Sequence, residues 1–168
     1  MLINMRVSLN HLNLKHLSKY EETIDIYKFG LTSLPSLYHF ENLKILSCSD
    51  NFIEEINYLP RTLVELYCWG NKINYIKFFP PNLEIIICYN NMLESLPELP
   101  YSLQYLNCNN NKLKSFPNIP SSVIEIDCSN NQLEILEIPI TLKKLSCYNN
   151  FLAFQDLKSY YYQQLQKK

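Results

Sequence analysis

Six cysteines, Cys48, Cys68, Cys88, Cys108, Cys128 and Cys147, recur at intervals of 20, 20, 20, 20 and 19 residues. Three kinds of chemistry are open to such a set. Paired by oxidation, six thiols make the three bridges of a secreted framework. Grouped with histidine they hold a metal, and a thiolate beside a histidine is a nucleophile. The neighbours argue against all three. Each Cys has Leu or a β-branched residue five and two positions before it, Asn three after, Leu or Ile five after, and in most copies an apolar residue eight after. All three histidines, His11, His16 and His39, lie outside the Cys-bearing copies, and His11 and His16 read as surface or cap residues. A thiol repeated at an apolar site behaves as a small buried hydrophobe. We therefore expect a ladder of reduced, buried cysteines, with no metal and no cofactor.

A fixed period tying Cys, Asn and apolar positions together is the mark of a stacked repeat. The copies begin at Leu43, Leu63, Leu83, Leu103, Val123 and Leu142. Leu83 to Pro100 reads L-x-x-L-x-C-x-x-N-x-L-x-x-L-P-x-L-P, with Ile at some Leu sites. A degenerate copy precedes them, with Ile26 at the Cys site and Phe29 at the Asn site. This pattern resembles a leucine-rich repeat over roughly residues 24–154, of the short 20-residue class found in bacterial effector proteins. High Asn, Ile, Lys and Tyr with scarce Gly and Ala is what an AT-rich genome tends to produce, and Cys-bearing L-P-x-L-P repeats of this sort also resemble the leucine-rich repeat proteins of giant amoeba-infecting viruses.

Each repeat has a physical assignment. The segment around Leu66-Tyr67-Cys68 alternates as a short strand must, placing Leu66 and Cys68 inward and Glu65, Tyr67 and Trp69 outward. Stacked copies give a parallel sheet on the concave face. Asn51, Asn71, Asn91, Asn111, Asn131 and Asn150 fall where the chain leaves the strand, and their amides can bond the turn and the next repeat. Tails such as Phe116-Pro117-Asn118-Ile119-Pro120 favour extended backbone over helix. The fold class is thus an α/β-type solenoid with an extended and turn-rich convex side and little helix outside its caps. One residue is missing between Leu136 and Leu142, and Gln155 stands where an apolar residue is due, which ends the repeat.

The expected organisation is a cap over residues 1–23, about seven repeats over 24–154, and a capping helix over 155–168. The last puts Leu157, Tyr160, Tyr161 and Leu165 on one face. Terminal repeats need such covers, since they otherwise leave apolar edges open. The stretch Ser8–Tyr20, with Leu9, Leu12 and Leu17, reads as the other cap, as helix in preference to strand.

At 168 residues and 47% apolar, one continuous core is expected. A net charge of −1 offers no general attraction to nucleic acid or to an acidic membrane. No apolar run has the length of a span, and Met1–Val7 is broken by Asn and Arg too early for a secretory core. None of the twenty Asn begins an Asn-x-Ser/Thr sequon. A cytoplasmic protein is expected, and the viral resemblance would make that a host-cell cytoplasm.

The outward strand positions list an apolar and aromatic centre: Tyr67, Trp69, Ile85, Ile87, Tyr89 and Tyr105. Strand geometry by itself buries none of them. Open aromatic and aliphatic groups mark interaction sites, although rings on a sheet also pack against each other. We expect these six residues to bind a host or viral protein. No catalytic group is expected: the concave positions include no histidine, and two glycines leave no room for a phosphate-binding loop. The reading is a non-catalytic interaction module, monomeric, with self-association through the same face as the other oligomeric outcome. Its alternative is a substrate-presenting adaptor or effector fragment in ubiquitin signalling, with catalysis supplied by another chain.

Overall fold

Three-residue strands recur once per repeat, and the in-out alternation runs two residues further, through the Cys to the residue after it, before the Asn turn. The computed structural model describes Leu14 and residues 16–166. Among these, seven strands form one parallel sheet in the order β1 (Thr23–Asp25), β2 (Ile45–Ser47), β4 (Glu65–Tyr67), β6 (Ile85–Ile87), β7 (Tyr105–Asn107), β8 (Glu125–Asp127) and β9 (Lys144–Ser146). Register is uniform: Ile24, Leu46, Leu66, Ile86, Leu106, Ile126 and Leu145 stand side by side. Each is the buried middle residue of its strand. Full burial of one Leu or Ile is worth about 1.5–3 kcal/mol, so a register slip would forfeit a whole row.

Below that row the cysteines form a second. All six are free thiols and buried, and Ile26 occupies the same site in the first copy. Ile53, Ile73, Leu93, Leu113 and Leu133 close the core from the far side of the turn. The core is therefore one column running the length of the stack.

Left-handed residues sharpen each turn. Asp50, Gly70, Asn90, Asn110, Asn130 and Asn149, all one residue before the ladder Asn, have φ between 53° and 66°. Asn, Asp and Gly are the residues that tolerate this region. Lys28 holds the same place in the first copy at φ 58°.

The convex side is extended and turn-rich, with one small addition. β3 (Glu55–Ile56) and β5 (Tyr75–Ile76) pair in parallel, and Lys77 N–H donates to Ile56 O at 2.9 Å. Pro97 and Pro117 replace Lys77 in the following copies. Proline has no N–H to continue that ladder, and the convex pairing stops there.

The missing residue between Leu136 and Leu142 is absorbed on the convex side. Leu142 N–H still bonds Pro139 O at 3.0 Å, as Val123 bonds Pro120 at 3.1 Å. Strand β9 keeps its register with β8.

The ends differ from expectation in part. Most of the expected Ser8–Tyr20 cap, with Leu9, Leu12 and His11, lies outside the described residues. Within it, Leu14 is buried, Leu17 packs on the core, and His16 is exposed. The C-terminal helix α1 (Leu157–Gln166) is present, but its predicted apolar face is not buried. Leu157 packs on the core and Tyr160 meets the Phe154 ring at 4.9 Å, whereas Leu165 is 73% exposed. The sheet edge is covered earlier, by an antiparallel return: Ser146 bridges Asp156, and Cys147 N–H donates to Gln155 O at 3.2 Å. That return covers the C-terminal end of the β9 edge, and only the first turn of α1 packs. Asp156 caps the helix, accepting Ser159 N–H at 2.7 Å.

Candidate concave interaction face

Outward side chains fall into three rows across the sheet, set by the strand pairing. The first runs Thr23, Ile45, Glu65, Ile85, Tyr105, Glu125, Lys144. The second runs Asp25, Ser47, Tyr67, Ile87, Asn107, Asp127, Ser146. The third, one residue past the Cys site, runs Tyr27, Ser49, Trp69, Tyr89, Asn109, Ser129, Tyr148. Strands lie about 4.8 Å apart, so six spacings make a face about 29 Å long.

The six residues singled out in the sequence come together on β4, β6 and β7 and the residues just after them. Ile85 and Tyr105 are neighbours in the first row, Tyr67 and Ile87 in the second. In the third, the rings of Trp69 and Tyr89 stack with centroids 5.3 Å apart and planes 6° apart. None of the six is freely exposed, however; all are half-buried. Strand spacing is close to ring-stacking distance, so adjacent large side chains cover each other's flanks. The expectation that nothing buries them holds for their outer surfaces only.

Two further outward positions are closed to solvent. Ser49 and Ser129 are buried at 1% and 0% exposure. Tyr27 and Trp69 stand on either side of Ser49, two strand spacings apart, yet their ring centroids approach to 5.7 Å. The rings lean over the small serine and roof it. Tyr27 therefore extends the aromatic cluster, which its row position alone does not reveal. Ser49 Oγ has no hydrogen-bond partner, while Ser129 Oγ meets Ser146 Oγ at 2.8 Å.

Polar groups hold this surface in shape. Tyr67 donates its hydroxyl to Glu65 Oε2 at 2.7 Å, and burial followed by that bond pushes its phenol up to about 12. Tyr27 donates to Asp50 Oδ2 at 3.2 Å, and Lys28 Nζ lies 3.4 Å from the same oxygen. Asp25 Oδ1 and Asp127 Oδ1 accept the backbone N–H two residues on, from Tyr27 and Ser129, at 3.0 Å each. These short-range turns cap strand ends.

Below the face, the Asn ladder fixes one repeat to the next. Asn71 Nδ2 donates to Cys68 O and, one repeat back, Cys48 O, both at 3.1 Å; its Oδ1 accepts Ile53 N–H at 3.0 Å. Asn91, Asn111, Asn131 and Asn150 repeat the pattern. The cysteines beside them are not set up as nucleophiles. Burial pushes Cys48, Cys88 and Cys147 up to about 12 and raises Cys68, Cys108 and Cys128 as well. Among the described residues, no group of three His, Cys, Asp or Glu side chains is placed to hold a metal ion. No helix among them is long and apolar enough to cross a membrane.

No protein-family model matches the sequence, and no curated protein matches it. Solved structures do match. YopM from Yersinia enterocolitica WA-314 is 31% identical, with a TM-score of 0.59, over 77% of this chain and 34% of that one. A Shigella effector leucine-rich repeat domain is 26% identical, with a TM-score of 0.69, over 88% and 75%. YopM from Yersinia pestis, a leucine-rich effector protein, is 29% identical, with a TM-score of 0.67, over 78% and 44%. The chain thus spans about a third of the length of the first of these, and all three are bacterial. Repeat, register and neighbours agree: this chain is a leucine-rich repeat protein of the short class that resembles bacterial effector repeats.

Proposed function

We propose that the chain is a non-catalytic interaction module that binds a protein partner through its concave face, centred on Tyr67, Trp69, Ile85, Ile87, Tyr89 and Tyr105. The observation that carries this reading is the Trp69–Tyr89 stack on a sheet face that no other element among the described residues covers. Stacked rings form a rigid apolar platform that loses little side-chain entropy when covered, and Trp and Tyr dominate interface energetics. The effector neighbours support a protein partner in general terms. An open sheet suits a peptide or a protein edge better than a small molecule, which favours an enclosed pocket. Six free thiols fit a reducing compartment, and we place the module in a cytoplasm.

The test is crosslinking capture from cell lysate, comparing the wild type with a Trp69→Ala/Tyr89→Ala double variant whose fold is first verified by circular dichroism. A protein captured by the wild type and lost by the variant is the expected result. Equal capture by both would move binding to the convex side or the ends.

A further inference from the structure

Charge is not spread evenly over this molecule. The chain carries 15 Lys and Arg against 16 Asp and Glu, yet among the described residues Lys144 is the sole cation in the three concave rows. Four carboxylates stand in the same rows: Asp25, Glu65, Glu125 and Asp127. Lys144 is engaged with Glu125 at 2.6 Å. Asp25, Glu65 and Asp127 have no ion pair among the described residues, and their hydrogen bonds come from neutral donors. The near-neutral total therefore hides an acidic concave face around an aromatic centre.

That combination selects an occupant. Aromatic faces attract cations, guanidinium above all, and carboxylates beside them strengthen the attraction. The cluster already displays this within the chain. Lys28 Nζ lies 4.9 Å from the centroid of the Tyr27 ring while pairing with Asp50. Tyr27 in turn touches Trp69, which stacks on Tyr89. Asp25 and Asp127 sit in one row, five strand spacings apart, or about 24 Å. An extended segment of about seven residues covers that distance at ~3.3 Å per residue.

We propose that the concave face takes an extended basic segment of its protein partner, whose arginine and lysine heads meet Asp25, Glu65 and Asp127 while their apolar stems cover the Trp69–Tyr89 stack. This inference rests on the concave-face reading above and adds the chemistry of the partner. An acidic segment would meet three unneutralised carboxylates, and a purely apolar one would leave them desolvated beside it.

The experiment selects a displayed library of random peptides about ten residues long, a length that spans the face. Wild type is compared with two variants of verified fold, Trp69→Ala/Tyr89→Ala and Asp25→Asn/Glu65→Gln/Asp127→Asn. The second removes the charge and keeps one acceptor oxygen at each site, enough for the single bonds that Asp25 and Glu65 accept; Asp127 gives up one of its two, from Ser129 N–H or Asn109 Nδ2, which is why its fold is verified first. Expected are peptides rich in Arg and Lys that need Trp69 and Tyr89. Their affinity should fall at least about tenfold on neutralisation of the three carboxylates, and fall again as salt is raised. Peptides that need Trp69 and Tyr89 but lack basic enrichment, or that bind the neutralised variant equally well, would overturn the basic partner and leave the concave face standing. If no peptide distinguishes the wild type from Trp69→Ala/Tyr89→Ala, both readings fall.

Discussion

Gly70 and Asp50 hold the same position in consecutive repeats, and a Cβ on Gly70 would lie 2.5 Å from Asp50 Oδ1. Four of the other copies place Asn here, in the left-handed region. Gly70 differs because Asp50, tied to Tyr27 and Lys28, occupies the space a side chain would need. Two costs fall on Gly70→Ala, the positive φ and the displaced carboxylate. We expect a loss of about 1–3 kcal/mol in urea unfolding. Gly70→Asn should cost less than Gly70→Ala, since Asn tolerates the backbone and meets only the carboxylate. Equal costs would show that the approach to Asp50 decides the matter, not φ.

The Asn ladder makes a sharper prediction. Asn91 satisfies Cys68 O and Cys88 O as donor and Ile73 N–H as acceptor. Asn91→Ala takes the acceptor from Ile73 N–H and one of two amide donors from each of Cys68 O and Cys88 O, which keep Asn71 and Asn111, and a cost of about 1–3 kcal/mol is expected. Asn91→Asp should be worse at neutral pH, because a carboxylate faces two carbonyl oxygens it cannot bond. Asn118→Ala, on the exposed convex side, is the control and should change stability by less than about 0.5 kcal/mol. Urea midpoints of the three variants check the order.

Ser49 and Ser129 occupy equivalent sites but should respond oppositely to truncation. Ser49 Oγ is buried without a partner beneath the Tyr27 and Trp69 rings, whereas Ser129 Oγ is bonded to Ser146. Removing an unsatisfied hydroxyl relieves a desolvation cost. Ser49→Ala is expected to raise stability by about 0.5–2 kcal/mol and Ser129→Ala to lower it by about 1 kcal/mol. A thermal shift of the same sign in both would contradict this account.

These contrasts mark where sequence reading ended. The inward rows were legible because a 20-residue period repeats them six times over, and a one-residue slip would turn every side chain the other way. The Asn ladder was legible for the same reason. Left-handed residues at Asp50, Gly70 and the four Asn were present as a Cys-x-(Asn/Asp/Gly)-Asn signal, masked by the more regular Asn beside them. The roof over Ser49 was not legible. It depends on how far two rings can lean across a small neighbour, and a row position carries no such information. The β3–β5 pair could have been inferred from the absence of proline at Asn57 and Lys77. Exposure of Leu165 could not, since the antiparallel return that displaces the helix from the edge has no repeat pattern to reveal it.

The buried thiols give the last prediction, through pH. Burial raises the cysteines from an ordinary value of 9.0, with Cys48 and Cys88 reaching about 12. In the unfolded chain they ionise near the ordinary value; in the folded chain they stay protonated well above it. Between about 9 and 12, then, the folded state binds more protons, and stability falls as pH rises. Their contribution is fully present below 9 and is lost as pH climbs through the folded value. Tyr67, also pushed up to about 12, acts in the same direction. Urea midpoints measured at stepped pH should decline across this window, and Cys88→Val, which keeps the site apolar, should decline less steeply. A thiol reagent at pH 8 should leave the native protein largely unmodified, because neither access nor thiolate is available. Cys147 should be the first to react, since Phe154 and the short return beside it are its cover. Rapid modification of Cys68 or Cys88 in folded protein would mean that the core column opens in its middle, against everything the register implies.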